Sequence, residues 1–472
     1  MYQYGFADDL DDDDCYSESV DDGFFLVERG PVSTVRKTLK SGFGGPDEDL
    51  SVPRWLAVKT STTNHKFSKQ PHDIVKEVRL LSGLSHVNAK IITLFDYIDD
   101  QPSAAMHLWM PFMPFSFYRI LGSPTFSPFP PPSISLPPLL PRPTNPISQA
   151  SLTSRFLVLS KSLTFQIISA IAYLHSPTEC IAHRDIKPRN LLITEQGCVK
   201  LIDFGVSWKS DDTEKDQESD LWPERKEDMC AAVSTGPYRA PELLFGAKSY
   251  NAFSTDLWSL GTTLAELFTS LALTPSSPSS SDDEDTDRYS QPGGGHDAVQ
   301  QPPFILPPSI SVADDENEYK WTRTSLFNGT RGELGLIWSI FKTMGTPTET
   351  SWPGYKDLLS PTSITFKQVP GVPLESLLPN LPPSSTPSSR THALDLICRL
   401  LVYPPEDRLI AQDALNHPWL ASNDEVPLLL PPDYVLRQEQ QHLKSQVVIN
   451  WDGKSLEDLV KEVLDSDKDE EK

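Results

Sequence analysis

The stretch IAHRDIKPRNLLITEQGCVKLIDFG, Ile181 to Gly205, decides how the rest of the chain is read. Each polar residue in it has a bland explanation when taken alone. An isolated Asp-Phe-Gly, such as Asp203-Phe204-Gly205, is usually just a turn. The joint order and spacing are far more specific. Asp185, Lys187, Asn190 and Asp203 bring a carboxylate, an ammonium, an amide oxygen and a second carboxylate into one short run. Phosphoryl transfer asks little covalent chemistry of a protein. It needs a positioned nucleophile, metal ions bridging the phosphates and counter-charge for the phosphate in motion. The run contains residue types for each task, including hard oxygen donors suited to magnesium.

Working outward, GFFLVERG and STVRKTLK read as a strand pair and RWLAVKT as a further strand. Between them Gly42-Phe43-Gly44-Gly45 looks like a phosphate cradle, but no helix follows it, so a plain turn is expected. HDIVKEVRLLSGL carries Ile74, Val78 and Leu81 at helical spacing. IITLFDYI and MHLWM are apolar and β-rich, and SRFLVLSKSLTFQIISAIAYLH is a long helix. STDLWSLGTTLAELF puts Leu257, Leu260, Leu264 and Leu267 on one helical face. Three stretches break this pattern and read as flexible inserts, near 122–150, 209–228 and 272–320. The first and third are low in complexity, and the second is strongly acidic. Residues 1–22 read as an acidic disordered tail and 421–472 as a polar acidic tail with one short amphipathic segment.

His183-Arg184-Asp185 followed by Asn190 fits H-R-D-x-x-x-x-N, and Asp203 opens D-F-G. On these motifs the chain resembles a eukaryotic protein kinase across 23–420, inserts excepted. The resemblance implies an α+β, bilobal fold. A small β-rich N-lobe, 23–113, with one main helix would sit on a larger, mostly helical C-lobe, 114–420. It implies that Asp185 accepts the substrate hydroxyl proton, that Lys187 neutralises the moving phosphate, and that Asn190 and Asp203 hold Mg2+. LAVK fits V-A-I-K, which makes Lys59 the ATP-phosphate lysine and Glu77 its partner on the next helix. MPFMP takes the place of the adenine hinge, with Met110 at its entrance. Pro111 has no donor there, whereas Met113 offers both backbone groups. ERGPVSTV stands where the family keeps G-x-G-x-x-G-x-V. Glu28, Gly30 and Ser33 occupy the three glycine places, Val35 would cover the adenine, and Val27 joins the ATP-binding set. Pro31 stiffens the loop and offers no N–H to a phosphate, so metal and Lys59 are expected to carry more of the contact.

TGPYRAPE, Thr235 to Glu242, resembles the end of a kinase activation segment. Tyr238 and Arg239, with FKTMGTPTETSWPG, resemble the group containing cyclin-dependent and MAP kinases. In PEDRLIAQDALNHPWL, Arg408 would pair with Glu242, and Asp256 would brace the catalytic loop from below. HRDIKPRN, with Lys187, resembles serine/threonine rather than tyrosine kinases. Aligning backward from YRAPE puts Cys230 where cyclin-dependent kinases carry an activating threonine. A phosphate there would bind Arg184, and cysteine cannot supply it. Activity is therefore expected to need no phosphorylation at 230, with Glu227 and Asp228 as substitute charge. A shift of register would instead make Thr213, Ser219 or Ser234 the phosphosite. KQPHDIVKEV is unlike the cyclin-contacting helix of cell-cycle kinases, which speaks against a cyclin partner.

Taken together, these features look most like a fungal single-subunit kinase that activates cyclin-dependent kinases. Its cofactors would be ATP and Mg2+, its substrate the activation-segment threonine of another kinase, and its state a monomer. The alternatives are another cyclin-dependent or MAP-type kinase, or a pseudokinase scaffold without turnover. Bulk composition narrows the partners. The chain has 472 residues and a net charge of -24, a surface that repels nucleic acid and anionic membranes. Its 44 prolines are roughly twice the usual share of about 5%, which points to unfolded inserts beside a folded core. The five cysteines are scattered without C-x-x-C spacing, as expected in a reducing compartment. The N-terminal stretch is acidic where a signal peptide is basic then apolar, and no apolar run looks long enough to span a bilayer. A soluble cytoplasmic or nuclear protein is expected.

Overall fold

A computed structural model describes residues 23–39, 55–84, 90–132, 148–275, 300–307, 319–358, 366–422, 426–435 and 447–465. The N-terminal acidic tail, the Gly42–Gly45 turn and the SSSDDEDTD and GGGHD blocks lie outside the described residues. Strands β1 (Phe24–Arg29), β2 (Ser33–Leu39), β3 (Trp55–Thr62), β4 (Asp96–Asp100) and β5 (Ala105–Pro111) form one antiparallel sheet in the order β1-β2-β3-β5-β4. The register sets Val35 opposite Lys59, and Lys59 opposite Leu108. Directly opposed residues share a face of a sheet, so the lysine emerges beside an apolar wall.

Helix α1 (Ile74–Gly83) begins where Asp73 caps it, its Oδ1 accepting the Lys76 amide at 2.9 Å. Ile74, Val78 and Leu81 are buried on it at the spacing read from the sequence, and so is Glu77. An acid on the buried side of a helix needs a partner, and the sheet supplies one.

The C-lobe is built on α2 (Phe117–Gly122), α3 (Gln149–Leu174), α4 (Pro241–Leu244) and α5 (Ala252–Ala265). By length and hydropathy alone α3 could cross a bilayer, contrary to the sequence expectation. Its sides are almost wholly buried among other elements, so its apolar character is that of a core helix. Gly261 on α5 permits close packing against the helix Pro387–Leu400, since a Cβ there would lie 2.9 Å from Leu400 Cβ. The short strands Leu191–Ile193 and Val199–Leu201 pair antiparallel, and Ile91 bridges to Leu201. The catalytic stretch thus lies at the seam between the lobes.

The inserts depart from expectation. Residues 209–228 are described throughout and are not a free loop. Trp208–Lys209 pairs with Ile181–Ala182, and Asp220 and Glu224 are buried because cationic side chains receive them. Within 122–150, Phe126 is buried and Ser127 Oγ donates to Asn380 Oδ1 at 2.8 Å. The segment 272–320 is rooted in a small sheet, in which Leu271–Pro275 runs antiparallel to Tyr319–Arg323 and parallel to Phe304–Ile305. The C-terminal stretch is not simply a polar tail. Leu428–Leu429 pairs with Val447–Val448, and the helix Leu456–Asp465 buries Leu456, Leu459, Val460 and Val463 beside α2 and α3. Its apolar face is the physical reason it docks.

Candidate active site

Lys59 leaves β3 toward α1, where its Nζ lies 2.9 Å from Glu77 Oε1 and 2.7 Å from Oε2. The same Nζ is 2.7 Å from Asp203 Oδ1. Sheet, helix and Asp-Phe-Gly turn therefore meet on one ammonium. Burial works against the lysine's charge, but Asp203 and Glu77 outweigh it and raise its pKa. Burial pushes Glu77 up, opposed by Lys59. Asp203 is held well below the carboxylate range, since Lys59 overcomes the burial penalty.

The catalytic stretch is over-determined by hydrogen bonds. Fully buried Asp256 on α5 accepts the backbone N–H groups of His183 and Arg184, both at 2.7 Å, and pairs with His175 Nε2 at 2.9 Å. His183 Nε2 faces the Ile202 carbonyl at 2.9 Å, and its Nδ1 accepts the Asp185 amide at 3.2 Å, so the partners place the ring proton on Nε2. Arg184 and Asp203 have left-handed backbones, with φ of 64° and 68°. Such strain persists only where surroundings enforce it, commonly at functional sites.

Asn190 Nδ2 donates to the Asp185 carbonyl at 2.8 Å and to its Oδ2 at 3.0 Å. With that amide nitrogen engaged, the amide oxygen is the atom available to a cation. The Thr235 hydroxyl donates to Asp185 Oδ1 at 2.7 Å and accepts from Lys187 Nζ at 2.7 Å. Lys187 also lies 3.1 Å from Asp185 Oδ2. Here an alcohol is met by a carboxylate and an ammonium together, the arrangement a substrate hydroxyl would need.

On the side expected from the sequence to receive a nucleotide, Gly30 lies in the turn between β1 and β2, and its N–H donates to the Ser33 carbonyl at 2.9 Å. Ser61 Oγ donates to the Val32 carbonyl at 2.7 Å, tying the turn to β3. Val27 sits at a bulge of β1 and is exposed, while Val35 is half-buried. Met110, buried in the core, is the last residue but one of β5, and Met113 follows, half-buried, in the connection to the C-lobe.

Residues 51–420 match the family model described as the protein kinase domain. The chain belongs to the protein kinase family. Within it, the similarity runs to the cyclin-dependent group. The chain is 30% identical to Cyclin-dependent kinase G-1 of Oryza sativa subsp. indica over 294 residues, 60% of this chain and 32% of that one. It is 28% identical to Cyclin-dependent kinase 20 of Danio rerio over 274 residues, 57% of this chain and 58% of that one. To Cyclin-dependent kinase 7 of Dictyostelium discoideum it is 30% identical over 276 residues, 56% and 55% of the two chains. It thus spans between about a third and three-fifths of the length of these curated relatives. Among solved structures, a chain of the CAK complex from Chaetomium thermophilum bound to ATP-gamma-S matches with a TM-score of 0.51 and 21% identity, covering 86% of this chain and 93% of that one. That likeness establishes the bilobal kinase fold.

The kinase activation segment corrects one expectation. Glu227 is exposed, and Asp228 makes only a surface pair with Lys248 at 3.0 Å. Neither supplies charge to Arg184. The carboxylate that does is Glu224, with Oε1 2.5 Å from Arg184 Nη2 and Oε2 2.9 Å from Nη1. Its Oε2 also accepts the Cys230 backbone N–H at 2.9 Å, so Cys230 does lie at this charge cluster. No local signal separated Glu224 from the other acids of its segment, because its partners are 40 and 148 residues away in sequence. The remaining activation-segment residues are tied to the C-lobe. Arg239 pairs with Glu333 at 2.6 Å, and Arg408 forms a bidentate pair with Glu242 at 2.6 and 2.8 Å, both partners buried.

Proposed function

We propose that this kinase transfers the γ-phosphate of Mg-ATP to serine or threonine hydroxyls of protein substrates, with Asp185 as proton acceptor. The observation that carries the reading is the closed Lys59–Glu77–Asp203 set beside a catalytic loop whose carboxylate and Lys187 already engage a threonine hydroxyl. Lys59 would position the nucleotide phosphates. Asn190 and Asp203 fit Mg2+ as oxygen donors. Among the described residues no cluster of three or more His, Cys, Asp or Glu side chains could hold a metal. A magnesium ion here would rest on few protein ligands and on the phosphates, as this cation commonly does. Bound there, it supplies counter-charge to the phosphates. Asp185 orients the attacking hydroxyl and takes its proton, and Lys187 balances charge on the phosphate in motion.

The finer reading is that the substrate is the activation-segment threonine of a cyclin-dependent kinase, and that the chain acts alone. It is supported by the departures at Glu28, Ser33 and Cys230, which resemble the single-subunit activating kinases, and by the similarity to Cyclin-dependent kinase 7. A second reading, a cyclin-dependent kinase acting on other proteins, is favoured by the similarity to the G-1 and 20 types. The purified full chain, mixed with ATP, Mg2+ and a cyclin-dependent kinase without cyclin, is expected to phosphorylate that threonine. Asp185→Asn should lower the rate about 10²–10⁴-fold while leaving ATP binding near wild type. Equal rates from both proteins would sink the assignment of Asp185. Transfer to general substrates but not to that threonine would favour the second reading.

A further inference from the structure

Three polar residues of α1 and its cap, Asp73, Lys76 and Arg79, recur every third position and so lie along one helical face. All three are gripped by the acidic stretch from Asp212 to Glu224. Trp222 donates its backbone N–H to Asp73 Oδ2 at 2.9 Å, and its ring packs edge-on against His65 at 5.0 Å. Lys76 Nζ is 3.3 Å from Glu224 Oε1. Arg79 meets both oxygens of Asp220, at 3.0 and 2.7 Å, and Asp212 at 2.8 Å. The neighbouring position, Glu77, is the one that orients Lys59. Whatever fixes this face of α1 therefore fixes the lysine.

Glu224 joins that grip to the catalytic loop. Its two oxygens receive Arg184, Lys76 and the Cys230 amide, and Tyr250 closes the cluster by donating to the Cys230 carbonyl at 2.8 Å while accepting from Arg184 at 3.0 Å. The carboxylate is buried, and although burial opposes its ionisation, Arg184 and Lys76 hold it at about 2, so it is charged at any physiological pH.

We propose that Asp212–Glu224 is a built-in clamp. Glu224 occupies the seat on Arg184 that a phosphate at position 230 would take, and Asp212, Asp220 and Trp222 secure α1 in place of a partner protein or a modification. Glu224 is thus a positioning residue, acting through Arg184 and α1. The proposal rests on the kinase reading for its catalytic consequence, but the clamp itself is a structural claim with its own readout.

The test uses the full chain, wild type and Glu224→Gln, with two measurements: phosphate transfer, and backbone hydrogen exchange over residues 73–84. The variant is expected to lose at least tenfold in rate, chiefly in kcat, and to exchange faster in α1. The double variant Glu224→Gln with Cys230→Glu returns a carboxylate to Arg184 from the adjacent position and is expected to restore most of both. Phosphatase treatment of the wild type should leave its rate unchanged. Wild-type exchange in Glu224→Gln, absence of rescue by the double variant, or inactivation by phosphatase would each overturn the clamp. Should Glu224→Gln fail to fold, the double variant Asp212→Asn with Asp220→Asn, which removes both carboxylates from Arg79, must loosen α1 in the same exchange measurement, and unchanged exchange there overturns the proposal. A chain that transfers no phosphate, yet shows faster exchange in the variant, refutes the kinase reading and leaves the clamp standing.

Discussion

At the scale of single residues, the site depends on a few charges whose ionisation is set by burial and partners. Glu266 is the clearest case outside the catalytic set. It accepts the Tyr238 hydroxyl at 2.8 Å, and burial pushes its pKa from 4.5 up to about 7. The folded chain therefore keeps a proton that the unfolded chain releases above about 4.5, so this group's contribution to stability falls as pH rises through 4.5 to 7 and is then flat. Urea denaturation should show wild type gaining stability relative to Glu266→Gln between pH 7.5 and pH 5, by about 3 kcal/mol at most. Parallel pH profiles for the two proteins would refute it. What could be read in advance follows the same division. Asp185, Lys187, Asn190 and Asp203 were legible because they lie in one short run with fixed spacing, and Lys59 because it closes a strand motif. Glu224 was not, since its role exists only after Arg184 and Lys76 have been folded onto it.

At the scale of elements, the turn between β1 and β2 keeps only one of the three glycines, Gly30, yet is closed by its own hydrogen bonds. The Gly30 N–H is spent on the Ser33 carbonyl, and Pro31 has none, so two of the donors a phosphate would seek are missing. Restoring glycine alone cannot recover them. Ser33→Gly is expected to change the ATP dissociation constant by less than about twofold, because the turn stays fixed at Ser61. A tenfold gain by calorimetry would show that the serine side chain, not the turn, limits binding. Helix α1 was predictable from Ile74, Val78 and Leu81, whose spacing faces the core. The acidic segment opposite it reads as flexible from its composition yet packs against α1, for a physical reason. Composition reports the solvation of isolated charges, and here paired cations from α1 and the catalytic loop offset the cost of burying Asp220 and Glu224.

At the scale of the whole molecule, the two lobes and their order along the chain could be read from motifs, whereas the boundary of the folded part could not. The C-terminal stretch looks polar because charged residues are interleaved with its apolar ones and crowd its end, but Leu459 and Val463 are fully buried on the C-lobe. Leu459→Ala should cost about 2–5 kcal/mol in urea denaturation. A neutral result would mean that the helix is an appendage. Nucleotide affinity should be unaffected, as the helix packs beside α2 and α3, away from Lys59. One small feature reaches beyond the enzyme's own chemistry. The bond from Ser61 to Val32 staples the roof of the nucleotide cleft to its back wall. Inhibitors that owe their grip to a supple roof folding down over them should find little purchase here. Compounds confined to the Met110–Met113 strip would bind without that contribution, and selectivity would have to come from shapes that exploit a roof already in place.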